Sequence, residues 1–131
     1  MEEKEKTSIN IWVDADSCPV QVRAMIARFA NRLGINTFFV ANRNIPIVTK
    51  EKISTKKIKM VITENTPDAA DNYIFTNCLE NDLVITRDIP LATRLGEKKI
   101  CVINDRGKIF TEENIKEQLS IRNFNLDLVI N

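Results

Sequence analysis

Short apolar runs alternate along the chain with longer segments whose apolar residues recur at helical spacing. Runs rich in β-branched and aromatic residues predict five strands, at 9–13, 37–40, 58–63, 83–86 and 100–103. Capping residues, prolines and helical periodicity predict four helices, at 19–33, 66–80, 89–95 and 111–121. Almost wholly apolar strands that alternate with helices are typical of a parallel sheet covered on both faces.

The pattern therefore predicts a single α/β domain over residues 8–131, preceded by a charged and disordered segment at 1–7. Its sheet is expected to be mostly parallel and five-stranded, with helices on both faces in three layers. Residues 43–57 are polar and lysine-rich and predict no regular element. No repeat or linker divides the chain.

The first predicted helix carries its apolar residues at the spacing of one helical face, which we expect to be buried. They are Val22, Met25, Ile26, Phe29, Ala30 and Leu33. Gly34 is predicted to end this helix, and Gly96 to end the short helix at 89–95.

Composition removes several classes of protein and of site. The 131 residues carry 19 Lys and Arg against 18 Asp and Glu, and a net charge of +1 excludes a strongly basic nucleic-acid module. A local basic patch stays possible. The chain has no histidine, which excludes Ser-His-Asp triads, histidine general bases and histidine metal ligands. Catalysis or metal binding must therefore rest on carboxylates, Lys, Tyr or Cys.

The three cysteines, Cys18, Cys78 and Cys101, are odd in number and widely spaced. This pattern suits neither a structural zinc site nor a secreted disulfide framework. Cys18 precedes a helix but lacks the Arg that a cysteine phosphatase carries six residues later, so we expect all three in packing roles. The chain also lacks an apolar segment long enough for a membrane span and a start typical of a signal peptide. A reduced, cytoplasmic protein is expected.

Acidic residues follow the predicted strands at the ends where parallel α/β sheets bind ligands. Asp14 and Asp16 follow the first strand, and Asp88 follows the fourth. Asp68 and Asp71 lie in the first turns of the helix after the third strand. If the first and fourth strands are neighbours, these carboxylates converge, and each raises the pKa of the others unless a cation lies between them. An all-oxygen site without histidine suits Mg²⁺ or Mn²⁺.

Each acid also has a simpler interpretation, because Asp is among the best helix N-caps and all of these acids precede or open a helix. Asp16 or Ser17 would cap the first helix, and Asp88 the short one. Asp14 lies at a strand end and Asp71 one turn inside its helix, so neither is placed to cap. The set as a whole points to a site more strongly than any one member.

A group of lysines between the second and third strands is a candidate nucleic-acid contact. It comprises Lys50, Lys52, Lys56 and Lys57, with Lys59 on the strand that follows. These side chains would line a path for backbone phosphates. Runs of charge are as a rule solvated surface, so both interpretations stay open at this point.

Four segments resemble motifs of the bacterial YaiI/YqxD family, at 13–20, 68–72, 82–92 and 106–115. The resemblance runs from about residue 9 to about residue 122 in the order of the family. It implies a PIN-like, Rossmann-like fold, similar to that of nucleases that cut single-stranded RNA with three or four acids around Mg²⁺ or Mn²⁺. PIN-like proteins are often homodimers. The chain departs from the expected pattern at Asn81, in place of Gly, and at Asp105, in place of Pro.

By position, the resemblance implies that Asp14, Asp71 and Asp88 hold the metal. Asp16 would be a further catalytic acid that ligates the ion or positions the attacking water. Supporting roles fall to Thr86, Ser17, Asp68 and Asn72.

Three functions are compatible with the sequence. The leading hypothesis is a metal-dependent nuclease acting on RNA, or less readily on DNA. The second is a metal- or nucleic-acid-binding module without turnover. The third is a phosphatase with Asp14 as nucleophile and Asp16 as general acid and base, which the missing Thr or Ser at Cys18 disfavours.

Overall fold

The computed structural model of the chain describes residues 9–117 and 120. The strands are β1 (Ile11–Asp14), β2 (Thr37–Ala41), β3 (Ile58–Ile62), β4 (Leu83–Ile85) and β5 (Cys101–Ile103). The helices are α1 (Val20–Leu33), α2 (Ala69–Asn77) and α3 (Ile89–Glu97), and a 3-10 turn at Ala15–Ser17 follows β1. Residues 112–117 are also helical. The segment predicted as disordered, 1–7, and the end of the last predicted helix lie outside the described residues.

The five strands form one parallel sheet in the order β3-β2-β1-β4-β5, which confirms the predicted fold class. β1 lies at the centre, with Trp12 in register with Phe38 of β2 and Val84 of β4. The chain builds outward from β1 to β3, then crosses back to add β4 and β5. The order therefore reverses between β1 and β4, and ligands of open α/β sheets bind at that reversal, beside the carboxyl ends of the strands.

Alternate residues of the central strands supply two separate cores. Trp12 and Val84 point to the face covered by α2, α3 and the helical residues 112–117, where Ile74 and Leu95 pack against them. Val13 and its neighbours on β2 point to the opposite face, which α1 covers. Because successive side chains of a strand face opposite sides, one nearly continuous apolar strand fills both cores. The result is the expected three-layer arrangement.

Helix α1 packs on the sheet with only part of the face that its periodicity predicts, and Val22 and Ile26 pack against the core as expected. Of the predicted face, Ala30 is buried, but Met25, Phe29 and Leu33 are 52%, 60% and 58% exposed. The buried positions are alanines, at 24, 27 and 30. Small side chains let the helix approach the sheet closely, and Met25, Phe29 and Leu33 are left on its outer side.

Residues 42–57, which connect β2 to β3, contain no helix and still contribute to the core. Ile45 is buried in the core below α1, and Ile47 and Ile53 pack against the same core. The apolar residues are too irregularly spaced to reveal this from periodicity alone. No helix in the described part of the chain is both long and apolar enough to cross a bilayer.

Two helix ends differ from the predicted ones. Helix α2 ends at Asn77 rather than near residue 80, because the Leu79 N–H donates to the Asp82 carboxylate at 2.9 Å. The Phe75 carbonyl, which would accept in a longer helix, accepts instead from the Lys98 ammonium at 2.6 Å. Helix α3 continues through Gly96, and the left-handed residue after it is Lys99, at φ 62°.

The prediction for Gly34 is confirmed: it follows α1 in the left-handed conformation, at φ 68°. The prediction for Cys101 is wrong, since its side chain is exposed, whereas Cys18 and Cys78 are buried as expected. Cys101 is the first residue of β5, which lies at the edge of the sheet. Because an edge strand has a neighbouring strand on one side only, its side chains are less completely covered than those of a central strand. An apolar run in the sequence does not distinguish such a position from a central one.

Asp82 is a buried structural carboxylate that ties the amino ends of β1 and β4 together. It is 1% exposed and accepts hydrogen bonds from the Trp12 indole N–H at 3.0 Å and from the Asn10 backbone N–H at 3.0 Å. With the bond from Leu79, three donors surround this one side chain. A buried carboxylate is tolerated when it is satisfied in this way.

Candidate metal centre at the carboxyl edge of the sheet

Four of the predicted acids lie around one hollow of about 240 Å³ at the reversal point between β1 and β4. It is lined by Asp14, Asp16, Ser17, Asn42, Pro67, Ala70, Asp71 and Asp88. Five separate segments contribute: the end of β1 with the turn after it, the residue after β2, the loop before α2, the first turn of α2 and the residue before α3. We refer to Asp14, Asp71 and Asp88 as the acid cluster.

Asp14 is the buried member of the acid cluster, at 6% exposure. Its Oδ2 accepts hydrogen bonds from the hydroxyls of Thr86 at 2.9 Å and Ser17 at 3.0 Å, as expected of supporting residues. Burial raises the pKa of Asp14, and the negative charges of Asp88 and Asp16 add to this, while the two hydroxyls oppose it. The carboxylate is therefore costly to hold ionised without a cation.

Asp88 has two roles. Its Oδ1 accepts from the Leu91 N–H at 2.8 Å, so it caps α3, as the simpler interpretation expects. Its own N–H donates to the Thr86 hydroxyl at 3.0 Å, which links it to Asp14 through one side chain. Asp88 also shares a hydrogen bond with the Asp71 carboxyl. Capping and membership of the acid cluster are thus compatible in one residue.

Asp71 carries the largest perturbation in the site. Burial raises its pKa to about 7, helped by the charges of Asp14 and Asp88, by the hydrogen bond with Asp88 and by the charge of Asp68. This carboxyl therefore keeps its proton to a much higher pH than an exposed aspartate does. Carboxyl groups this close cannot all stay ionised, because their negative charges repel one another. A cation between them would relieve this repulsion.

Asp16 lies at the rim of the hollow, with a side chain that is 37% exposed. It forms an ion pair with Arg43, at 3.2 Å. The expectation that Asp16 or Ser17 caps α1 is wrong, because the residue at the N-cap is Pro19 and no side chain caps this helix. Ser17 is instead occupied with Asp14, and Asp16 is left to face the hollow.

Two of the predicted supporting residues lie outside the hollow. Asp68 is exposed and acts only through its charge, which contributes to the raised pKa of Asp71. Asn72 is exposed, and its Oδ1 accepts from the Arg94 guanidinium at 3.1 Å. Asn72 therefore links α2 to α3 rather than supporting the acid cluster directly.

The structure does not bring the candidate lysines to the acid cluster. The Lys57 carbonyl accepts from the N–H of Thr37, the first residue of β2, and the Lys52 carbonyl accepts from Asn31 near the end of α1. Both contacts lie at the edge where the strands begin. Lys50 and Lys56 are exposed and adjoin residues with contacts at that edge, Glu51 with Arg32 and Lys57 with Thr37. Because all strands are parallel, the acid cluster lies at the opposite edge, about 13 Å away along a five-residue strand.

Sequence reasoning missed Asn42 and Arg43, which reach the site from the end of β2. It also left Asp105 without a role, although the Arg87 side chain binds it at the end of β5. The signal was the one used for the acids: a polar residue within three positions after a predicted strand. Applied to amides and arginines as well, it finds Asn42, Arg43 and Arg87.

The donors of the acid cluster suit a hard divalent cation in their chemistry, since all are carboxylate or neutral oxygens. Within residues 9–117 and 120, no three carboxylate or thiol side chains are already arranged as the ligands of a metal ion. Such an ion would require an ionised Asp71 carboxyl and carboxylates that lie closer together. Cys18 offers no alternative ligand or nucleophile, because burial raises the pKa of its thiol to about 11.

The fold and site define a parallel α/β protein with an acidic hollow at the reversal point of its sheet. The sequence model described as "Uncharacterized BCR, YaiI/YqxD family" matches residues 12–129, and the chain belongs to this family. This confirms the resemblance inferred from the motifs.

Relatives of the chain carry the name "UPF0178 protein". The chain is 52% identical to one from Treponema denticola over 123 residues, which cover 94% of this chain and 75% of that protein. It is 50% identical to one from Treponema pallidum, covering 92% of this chain and 65% of that protein. It is 45% identical to a third, from Syntrophobacter fumaroxidans, over 120 residues, which cover 92% of this chain and 75% of that protein. No solved structure matches the chain.

Proposed function

We propose that this protein is a metal-dependent nuclease that hydrolyses phosphodiester bonds of single-stranded RNA. One observation carries the proposal: carboxyl groups from β1, α2 and the start of α3 meet at the reversal point of the sheet, and their mutual repulsion with burial raises the pKa of Asp71 to about 7. Such a perturbed group in a hollow is a candidate for chemistry rather than for stability.

Asp14, Asp71 and Asp88 would hold Mg²⁺ or Mn²⁺. The cation would take the place of the proton on Asp71, so binding would release protons in the neutral range. Thr86 and Ser17 hold the Asp14 carboxylate in one orientation before any ion arrives. Such hydrogen bonds to a ligand typically set its orientation and its affinity for the metal.

A bound divalent cation would supply positive charge to the phosphate and lower the pKa of a coordinated water. Asp16 faces the hollow from its rim and would position the attacking water and accept its proton. The water oxygen would form a bond to phosphorus, the bond from phosphorus to the leaving oxygen would break, and that oxygen would take up a proton from solvent. The resemblance to PIN-domain nucleases favours RNA over DNA as the substrate.

Calorimetric titration with Mn²⁺ tests the proposal directly, on wild type and on the double variant Asp14→Asn/Asp88→Asn. We expect a single site in wild type and loss of binding in the variant. Cleavage of an end-labelled single-stranded RNA in Mn²⁺ should disappear with it. Glu80→Gln is the matched control, because Glu80 is exposed and lies outside the hollow. Thermal melts in EDTA check that each variant is folded.

Two results would overturn the proposal. Cleavage that persists in the folded double variant would place the reaction elsewhere. Absence of Mn²⁺ binding to wild type, with a lower melting temperature of the variant in EDTA, would mean that the acids only hold the fold. Mn²⁺ binding without cleavage of any RNA would favour the non-catalytic binding module instead.

A further inference from the structure

A second hollow, of about 350 Å³, lies at the same edge of the sheet as the acid cluster. It is lined by Arg87, Asn104, Asp105, Arg106 and Phe110, and we refer to it as the arginine hollow. Residues that line the two hollows are adjacent in the chain and joined by a hydrogen bond. Arg87 directly precedes Asp88, and its N–H donates at 3.3 Å to the Ser17 hydroxyl, which lines the acidic hollow.

Arg87 is held in place within the arginine hollow. Its Nε and Nη2 donate to the two carboxylate oxygens of Asp105, each at 2.8 Å. The Asp105 side chain is 9% exposed and that of Arg87 is 54% exposed. The buried carboxylate therefore holds the guanidinium in place, and the other side of the guanidinium is accessible to solvent. A guanidinium bound on one edge keeps its remaining N–H groups for a second acceptor.

Arg106 adds a second positive charge near Asp105. The Asn104 side chain accepts from the backbone N–H groups of Arg106 and Lys108, both at 2.9 Å, and Gly107 follows Arg106 at φ 83°. This turn fixes the Arg106 backbone. Within the described residues, its guanidinium has no hydrogen bond or ion pair. Two arginines against one aspartate leave the hollow with an excess positive charge.

Phe110 provides an aromatic surface next to these charges. One part of the ring packs against the core below α3, and the residue is half-buried. A fixed aromatic ring beside arginines is the combination with which proteins bind single-stranded nucleic acids, because bases stack on the ring and phosphates bind the guanidinium groups.

We propose that the arginine hollow binds one nucleotide of a single-stranded nucleic acid, next to the bond that the acid cluster would cut. Its phosphate binds Arg106 and the free side of Arg87, and its base stacks on Phe110. The position of the nucleotide relative to the cleaved bond rests on the proposed function. The binding of the nucleotide to the arginine hollow does not depend on it. It also gives the substrate path as the carboxyl edge of the sheet, away from the lysines at the opposite edge.

Fluorescence anisotropy with 5′-fluorescein decauridylate in EDTA measures binding without cleavage. We expect Arg106→Gln and Phe110→Leu each to weaken binding about tenfold, and Phe110→Tyr, which keeps the ring, to bind like wild type. The matched control is Lys56→Gln/Lys57→Gln, which removes two positive charges from the opposite edge of the sheet. Its affinity for decauridylate should differ from that of wild type by less than about twofold. For an abasic strand of equal length, Arg106→Gln should bind more weakly than wild type, whereas Phe110→Leu should bind as well as wild type.

Several outcomes would overturn the inference. They are a wild type that does not bind decauridylate, an Arg106→Gln variant that binds like wild type, and a lysine variant that alone loses binding. Equal effects of Phe110→Leu on decauridylate and on the abasic strand would exclude stacking.

Mn²⁺ titration separates this inference from the proposed function. Arg106→Gln should keep Mn²⁺ binding and lose affinity for decauridylate in EDTA. Asp14→Asn/Asp88→Asn should lose Mn²⁺ binding and still bind decauridylate. If the first variant behaves as expected but wild type binds no Mn²⁺, the nucleotide site stands and the nuclease proposal fails.

Discussion

The Thr86 hydroxyl donates a 2.9 Å hydrogen bond to the Asp14 carboxylate, across 72 positions of the sequence. The same oxygen accepts from the Asp88 N–H at 3.0 Å. One buried side chain therefore sets the orientation of an acid at the end of β1 and of the backbone that carries an acid before α3. Neither acid can move far without breaking one of these bonds.

Thr86→Val removes the hydroxyl and keeps the shape of the side chain. We expect Mn²⁺ affinity to fall about tenfold, because a ligand that loses its orienting hydrogen bond binds metal less well. Stability should fall by about 1 kcal/mol, since the Asp88 N–H loses its acceptor. The control is Thr93→Val, whose hydroxyl bonds only to the Ile89 carbonyl within α3. Equal Mn²⁺ affinity in the two variants would contradict the role given to Thr86.

Asp71→Asn should stabilise the metal-free protein at neutral and higher pH. The pKa of Asp71 is about 7 in the folded protein and 3.8 for an unperturbed aspartate, so between these values the folded protein keeps a proton that the unfolded chain has lost. Stability of wild type therefore falls as pH rises through this window. Asn does not titrate, and the variant should be more stable by about 1–2 kcal/mol at about pH 8, a value discounted because the carboxyl is only half-buried.

Thermal or urea unfolding in EDTA at about pH 5 and about pH 8 checks this sign. The advantage of Asp71→Asn over wild type should grow with pH, whereas the exposed Glu80→Gln should show no such trend. An Asp71→Asn variant less stable than wild type at the higher pH would show that the carboxylate stabilises the fold, which is the opposite of the electrostatic argument.

Asp82→Ala should destabilise the protein by about 3 kcal/mol or more, as measured by urea unfolding. It would leave the Trp12 indole and the backbone N–H groups of Asn10 and Leu79 without this buried acceptor. The exposed Asp68→Ala should change stability by less than about 0.5 kcal/mol. Similar losses in the two variants would mean that burial of Asp82 carries little of the stability.

Two glycines should respond to alanine with opposite signs. Gly34 has φ 68°, where an L side chain is strained, so Gly34→Ala should cost about 1 kcal/mol. Gly96 lies within α3, and Gly96→Ala should gain about 1 kcal/mol. An added Cβ meets nothing within 4 Å at either position, so the difference comes from the backbone alone. Thermal melts that shift in the same direction for both would refute this.

The secondary structure of this chain was predictable because its signals are local. The apolar run that becomes β1 and the left-handed Gly34 after α1 are recognisable within a few residues. The order of strands and helices then restricts the sheet to a parallel one, and the strand-end rule places Asp14 and Asp88 at one edge. That they share a hollow followed once β1 and β4 proved to be neighbours.

What failed depends on distant contacts. The periodicity of α1 was compatible with burial of Phe29, but only packing of alanines against the sheet decides which face is covered. The end of α2 depends on Asp82 and Lys98, which lie outside that helix. The lysines of the β2–β3 connection form a run of positive charge typical of nucleic-acid contacts. Because the connection leads back to the start of β3, these lysines lie at the edge of the sheet opposite the acid cluster.

The sequence by itself determined the elements, the α/β class, the lack of histidine chemistry and the family, because each depends on neighbouring residues or on composition. Tertiary structure alone decided which polar groups meet. It raises the pKa of Asp71 by burying this carboxyl beside Asp14 and Asp88, aligns Arg87 on Asp105, and buries Asp82 among three donors. The physical reason is that charge and hydrogen bonding act over a few ångströms in space, whereas the residues involved are separated by up to 72 positions in the chain.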